Sequence, residues 1–358
     1  MTKYTPFLKL KVNEVGAVAA LTDDVKELIT PFFDLPVKKD MTSATFCQMV
    51  TKSARKIEIN FGKTKLFYLD NFDIPDTVKV NGETNYRFVI DEFTGLNFVP
   101  VIGLDRAPSH NLAVFRAKED SKITSDVVAI RILEDEFASF DLVEDELREL
   151  LGSALEHFDE CILILDCRMC LKVNPNSHAA MLAEFIQAAE AEFDFSEIIV
   201  TGSSVPPAIG EVSAVEQQSN LTRVELQIFQ ELQGYAGMDE VGFGDYTVVS
   251  PLYSEVTLPP EILLNITAPK MLYAHGMYHY IAQGGALKTH KRGNYQYNDI
   301  AADIVSKSFY RGTEYSSGDE FLDEKSKMIG SKVTPSTVLN PIINAHITYM
   351  ATDHPLLT

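Results

Sequence analysis

The sequence predicts an α/β fold: a TIM-like (β/α)8 barrel over residues 1–256, followed by a C-terminal α+β extension over 257–358. Three observations predict it. Eight apolar, strand-like runs recur along the chain: Pro6–Lys11, Thr30–Asp34, Lys65–Asp70, Phe98–Asp105, Asp126–Ile132, Cys161–Asp166, Glu197–Ser203 and Val241–Ser250. Helix-like stretches separate most of them, the alternation expected of parallel strands joined by crossover helices. Many runs close on a charged or small polar residue, as strands do in barrels whose C-terminal face carries chemistry. An open dinucleotide-binding sheet fits less well, because no Gly-x-Gly-x-x-Gly turn follows the first run.

Taken in order, the first run leads into a helix over 13–28, with Asn13 as N-cap and Glu14 in the positive first turn. The second run stops at Pro36, which cannot extend a ladder. A helix follows over 43–55, with a short extra strand at 57–61. Lys65–Asp70 is aromatic, apolar and closed by an acid, whereas 76–93 holds an Asn81-Gly82 turn and then helix or strand. A helix near 109–117 precedes Asp126–Ile132, a continuous β-branched run of the kind buried on both faces of a parallel sheet. The acidic stretch from Glu134 through Leu151 reads as a solvated helix, 178–193 as an amphipathic helix and 223–232 as a seventh helix. Beyond the eighth run, Pro259-Pro260 marks a connection. Aromatic-rich strands follow over 270–283, then helices near 298–308, 319–328 and 344–350.

Composition narrows the function classes. A formal net charge of −20 over 358 residues argues against a broad nucleic-acid or anionic-membrane surface, while leaving room for a local basic pocket. No run of 18 apolar residues and no leader-like N-terminus stands out, so the expected compartment is the cytoplasm. Of the four cysteines, Cys47, Cys161, Cys167 and Cys170, three cluster around one strand and read as inert core thiols. Cys167 and Cys170 have Cys-x-x-Cys spacing, but no second pair or His cluster completes a zinc site, and no metal site is expected there.

Several short motifs carry a family resemblance. They are Tyr4-Thr-Pro-Phe-Leu-Lys-Leu-Lys11 with Glu14, Ile29-Thr-Pro-Phe-Phe-Asp-Leu-Pro36, Arg223-Val-Glu225 and Gly244-Asp245-Tyr246. In the tail they are Arg311-Gly312, Tyr315-Ser-Ser-Gly-Asp319 and Asn344-Ala-His-Ile-Thr-Tyr349. In this order, over nearly the whole chain, they resemble the phage beta protein family (T-even phage beta protein-like). The resemblance implies a setting in phages and in bacterial mobile or defence-associated regions, and implies no reaction. The chain departs from the family pattern at Pro335-Ser336, where an aromatic is expected, and at His346, which follows Ala345 where a His pair is common.

If the barrel is right, one face gathers Lys9, Lys11, Glu14, Asp34, Asp70, Asp105, Arg131, Asp166, Arg168, Ser203, Ser204, Arg223, Glu225, Asp245 and Tyr246. Lys9 and Lys11 share one side of their strand, and Leu8 and Leu10 the other. Asp70 and Asp166 close wholly apolar strands, where a carboxylate needs a cation, a hydrogen-bond network or a metal. Their structural alternative is a salt bridge to Lys or Arg inside the barrel. Arg131 interrupts an apolar run and needs an anionic partner, a protein carboxylate or a ligand phosphate. The Thr201-Gly-Ser-Ser204 turn lies where barrels often bind phosphate through backbone N–H groups. Asp245 and Tyr246 are either an acid/base pair or a bulge cap with a packed ring.

Other signals count for less. His275 and His279 would share a helix face, but their Tyr-rich surroundings favour a strand over a metal site. Gly284–Lys288 lacks P-loop spacing, and the basic patch at 288–292 reads as a solvated loop or a ligand lid.

Two function classes follow. One is an enzyme acting on a small phosphorylated or nucleotide-like anion. In it Lys9, Lys11, Arg131, Ser203, Ser204 and Arg223 bind charge, while Asp70, Asp166, Glu225, Asp245 and Tyr246 transfer protons or, for the acids, hold Mg²⁺. The other is a non-catalytic sensor or protein-interaction module in phage–host conflict. The partners expected are a small anion, a protein or a second copy of the chain. A mouth whose carboxylates are all matched by internal Arg or Lys would favour the second class.

Overall fold

The computed structural model describes residues 4–253 and 267–358. The Pro259-Pro260 connection and the expected boundary at 256/257 lie outside the described residues. Among these residues the first half of the chain alternates strand and helix. Its elements are β1 (Tyr4–Lys9), α1 (Val12–Ala19), α2 (Asp23–Glu27), β2 (Phe32–Asp34), α3 (Ser43–Asn60), β3 (Phe67–Asp70), the small ribbon β4 (Lys79–Val80) and β5 (Glu83–Thr84), α4 (Asn85–Phe93), β6 (Phe98–Ile102), α5 (Pro108–Glu119) and β7 (Val127–Leu133). After these come α6 (Glu134–Phe137), α7 (Phe140–Leu155), β8 (Glu160–Met169), α8 (Pro175–Glu192), β9 (Glu197–Ser203), β10 (Gln218–Thr222), α9 (Val224–Leu232) and β11 (Gly242–Asp245). The remainder is β12 (Lys270–His275), β13 (Tyr278–Gln283), α10 (Gln296–Val305), α11 (Ser317–Ser326) and α12 (Leu339–Thr352).

Eight of the strands close a parallel barrel in the order β1-β11-β9-β8-β7-β6-β3-β2. Strand alternation sorts the side chains into two cores. Phe7, Phe32, Tyr68, Val99, Val101, Ala129, Ile162, Ile164, Ile199 and Tyr246 fill the barrel interior, with Phe7 and Phe32 stacked at 4.3 Å between ring centroids. The residues between them, such as Leu8, Phe33, Leu69, Ile130, Leu163 and Val200, face outward and pack under the helices. Both faces are therefore apolar, which explains the unbroken hydrophobic runs in the sequence.

Local chemistry sets where helices begin. The Thr42 and Thr45 side chains form a reciprocal capping box at the start of α3, Asn174 caps α8 with Pro175 in its first turn, and Pro108 opens α5. Several expected elements differ. The helix expected over 13–28 is two, because Thr22 accepts from the Val25 N–H and starts α2; Lys11, not Asn13, is the N-cap of α1. The strand expected at 57–61 is the end of α3, where Arg55 and Glu58 pair one turn apart and Ile57 is buried. The eighth strand is short, since the chain turns at Thr247 with φ of 56°.

The extension is built around a three-stranded antiparallel sheet, β10-β13-β12. Its edge strand β10 comes from between two barrel strands and pairs with β13 from Gln218 opposite Ala282 to Thr222 opposite Tyr278. Nothing in the polar run Gln218–Thr222 marks it as a strand before its partner is known. Helix α12 lies against α1 and α11. A Cβ on Gly318 of α11 would fall 2.0 Å from the Pro341 carbonyl oxygen and 2.8 Å from Ala345. Gly318→Ala is therefore expected to lower stability by about 1–3 kcal/mol, although Ala is the better helix former. Urea unfolding checks this, and an unchanged midpoint would contradict the close approach.

Candidate functional site

The residues expected on one face fall into two buried networks and a cleft, divided by the barrel wall, except Asp105, which is exposed at the rim and pairs with Arg106 at 3.3 Å. Lys9, Asp34, Asp70, Arg131, Asp166 and Tyr246 have the side-chain parity of the barrel interior and meet at its C-terminal mouth. Asp245 has the opposite parity and points out of the barrel, where it meets Arg223, Glu225 and Ser204. Alternation along β11 thus places the adjacent Asp245 and Tyr246 on opposite faces.

At the mouth, Arg131 is completely buried and is the hub. Its Nη1 donates to Asp34 Oδ1 at 3.0 Å and Asp70 Oδ2 at 2.8 Å, and its Nε and Nη2 donate to Asp166 Oδ2 at 3.0 and 2.6 Å. Nη2 also donates to the Tyr246 hydroxyl at 2.8 Å, which in turn donates to Asp166 at 2.6 Å. Burial pushes the Asp34 carboxyl up to about 6, against the pull of Arg131. Burial also opposes charge on Asp70, but Arg106 and Arg131 together take that carboxyl below the ordinary range. Burial beside Asp166 raises the Tyr246 phenol well above its usual value, so it remains a donor.

A second tier covers the hub. Arg106 donates to Asp70 at 2.8 Å, and Arg168 donates to Asp73 at 3.3 Å. The guanidiniums of Arg106, Arg131 and Arg168 lie 4.7, 4.6 and 4.4 Å from the centroid of the Phe72 ring, which caps the mouth. A strained bulge in β8 and a strained turn after β11 flank it. Arg168 has φ of 49° and Thr247 φ of 56°, and each N–H donates to an aspartate two residues earlier, Asp166 and Asp245, at 2.8 Å. A β-branched residue in the left-handed region is costly, and such strain clusters at functional sites.

The second network joins barrel to extension. Arg223, also fully buried, donates to Glu225 at 3.1 Å and to Asp245, and its Nη1 reaches Met350 Sδ. The Ser204 hydroxyl donates to Glu225 at 2.6 Å and accepts the Val224 N–H, while Ser203 accepts the Val205 N–H. Tyr4 donates to Asp245 at 2.7 Å, and His346 Nε2 donates to the same carboxylate at 2.9 Å. Burial opposes the Asp245 charge, but His346, Arg223 and Tyr4 hold the carboxyl well below the ordinary range. Burial keeps His346 and its stacked neighbour His279 neutral, their rings 5.5 Å apart. This network is a buried seam between β11, α9 and α12.

The model of the Beta protein family matches residues 4–352. The chain belongs to the Beta protein family. No curated protein matches it. In this structure Ala345 packs against Gly318, while His346 spends its Nε2–H on Asp245.

A cleft of about 280 Å³ opens beside the mouth, lined by Lys9, Lys11, Glu14, Tyr253 and Lys270 among others. Lys9 is 7% exposed, and its ammonium lies 3.5 Å from the Tyr253 ring centroid, with Lys11 at 5.5 Å. Among the described residues none of these three lysines is in a salt bridge. Burial, with help from Lys11, takes the Lys9 amine down to about 8 despite Asp73 and Asp34. Glu14 is buried, its Oε2 meets no hydrogen-bond donor, and burial raises its carboxyl. A larger cavity, about 880 Å³, lies at the opposite end of the barrel, but among the described residues its lining holds Glu27, Glu160 and Glu197 and no cation.

Mg²⁺ does not fit the mouth. The Arg131 guanidinium fills the position between Asp34, Asp70 and Asp166 where a divalent ion would sit, and no group of three ligands among the described residues is placed to hold a metal. Arg106, Phe72, Tyr253 and Lys270 join the mouth and cleft without being among the residues the sequence singles out. Arg106 had a signal, as a cation directly after the Phe98–Asp105 run. The others sit in loops or a strand outside the barrel repeat, where no pattern points to the mouth.

Proposed function

We propose that the C-terminal mouth and its adjoining cleft take up a small anionic molecule, phosphorylated or nucleotide-like, and act on it. One observation carries the reading: three lysines with no carboxylate partner among the described residues share one cleft in a chain of net charge −20. Elsewhere in the mouth each buried cation is matched by an acid, so the unmatched charge is concentrated where an anion would enter. On this reading Arg131 with Asp34, Asp70 and Asp166 is the rigid floor, and Lys9, Lys11 and Lys270 face the ligand. Glu14 is the available acid. No helix among the described residues is long and apolar enough to cross a membrane.

The second reading, a non-catalytic interaction module in phage–host conflict, draws on the internal pairing of Asp34, Asp70 and Asp166 with Arg131. Thermal unfolding in a panel of inorganic phosphate, pyrophosphate, sugar phosphates and nucleotides separates the two. The expected result is a stabilisation that grows with ligand concentration, about 2.7 kcal/mol at a hundredfold excess over Kd. The doubly substituted Lys11→Glu, Lys270→Glu protein should lose it while remaining folded. If no anion stabilises the unsubstituted protein, the interaction reading stands instead.

A further inference from the structure

We propose that Lys9 is a nucleophilic amine that forms an imine with the carbonyl of a small anionic aldehyde or keto acid, held in the cleft by Lys11 and Lys270. The inference rests on the anion-binding reading above and names the substrate class of the same site. Lys9 is the last residue of β1, on the inward face of the strand, so its stem is held by the barrel wall and its amine emerges into the cleft. It makes no salt bridge among the described residues, which leaves the nitrogen available. The charged groups around it are Asp34, Asp73, Lys11, Arg168 and Glu14. Burial disfavours the ammonium most, and both cations in that set, Lys11 and Arg168, add to it; the Tyr253 ring opposes them. A lysine that gives up its proton near neutral pH, in a desolvated site beside another cation, is the form of the side chain that attacks carbonyl carbon.

Glu14 supplies the second requirement. Its Oε2 is buried without a donor, and its raised carboxyl is suited to carrying a proton. The Lys9 nitrogen lone pair attacks the carbonyl carbon as the C=O π pair moves to oxygen, which takes a proton from Glu14. The nitrogen proton returns to the Glu14 carboxylate, giving a neutral carbinolamine. A second protonation of that oxygen by Glu14 expels water as the nitrogen lone pair forms the C=N bond. Loss of the remaining N–H proton gives the neutral imine and restores the acid. The atoms balance as amine plus carbonyl giving imine plus water, with no oxidant or reductant.

The test uses glyoxylate as probe, with cyanoborohydride to reduce any imine, and peptide mapping to locate N-carboxymethyl-lysine. Glycolate, which has the carboxylate but no carbonyl, reports binding alone through thermal stability. The expected result is modification of Lys9 at least about tenfold faster than the surface lysines at pH 7, since a lower pKa leaves far more free amine. Its rate should level off above pH 8 while theirs still rise. Lys9→Arg should abolish the adduct. Stabilisation by glycolate without preference for Lys9 would overturn the imine and leave the anion site standing. Neither stabilisation nor preference would overturn both.

Discussion

Arg131→Met is expected to destabilise the protein by about 3–5 kcal/mol, the usual penalty for removing one partner of a buried ionic network. The side chain donates to Asp34, Asp70, Asp166 and Tyr246 from zero exposure, so the variant leaves three buried carboxylates to share Arg106 and a phenol. Arg131→Lys should recover little, because one ammonium cannot reproduce a planar fork with donors to four side chains. The loss should shrink on acidification. Asp34 already holds its proton up to about pH 6 with Arg131 present, and without the guanidinium it will hold it higher. Asp34→Asn should accordingly cost less than Asp166→Asn, since Asp166 accepts from both Arg131 and Tyr246. Urea denaturation at pH 7.5 and pH 5 measures all four variants. Equal stability of Arg131→Met and the parent at pH 7.5 would contradict the hub.

The second large effect is acid sensitivity from buried neutral histidines. His110 and His354 are taken down to about 4 by burial, with Arg106 and Arg223 respectively adding to it. His279 and His346 are also held low by burial. A histidine whose folded pKa lies below its unfolded value near 6.5 contributes stability that is present above 6.5. It loses that contribution as pH falls, at about 1.4 kcal/mol per unit. Asp34 and Glu136, raised by burial to about 6 and about 7, act in the opposite sense between those values and about 4. The histidine contribution is therefore best read as a difference. His279 has neither ring nitrogen hydrogen-bonded and does not touch the cleft. His279→Leu should gain about 2 kcal/mol on the parent between pH 7 and pH 5. Parallel stability curves for the two proteins would show that His279 is charged in the fold.

The barrel was legible because its signal is repetitive. The strands within the eight runs bury both faces over most of their length, most plainly in Asp126–Ile132 and Cys161–Asp166. The mouth was legible for the same reason: Arg131, Asp70 and Asp166 break apolar runs, and burying them demands partners. What the chain did not disclose was which partners, because strand parity at a short, irregular end such as Gly244-Asp245-Tyr246 depends on where the ladder stops. Hence the sequence pattern groups Asp245, Arg223, Glu225 and Ser204 with the mouth, although they form a seam behind it. The extension was less legible still. β10 is polar and becomes a strand only through β13, some sixty residues further on, and Tyr253 and Lys270 reach the cleft only through tertiary contact.

The claim that the cleft beside the mouth is an anion site is tested most directly by anomalous diffraction from crystals soaked in tungstate. The expected result is an anomalous peak within hydrogen-bond reach of Lys9, Lys11 and Lys270, absent from crystals of the Lys11→Glu, Lys270→Glu protein. Tungstate bound at other surface cations with the cleft empty would contradict the account.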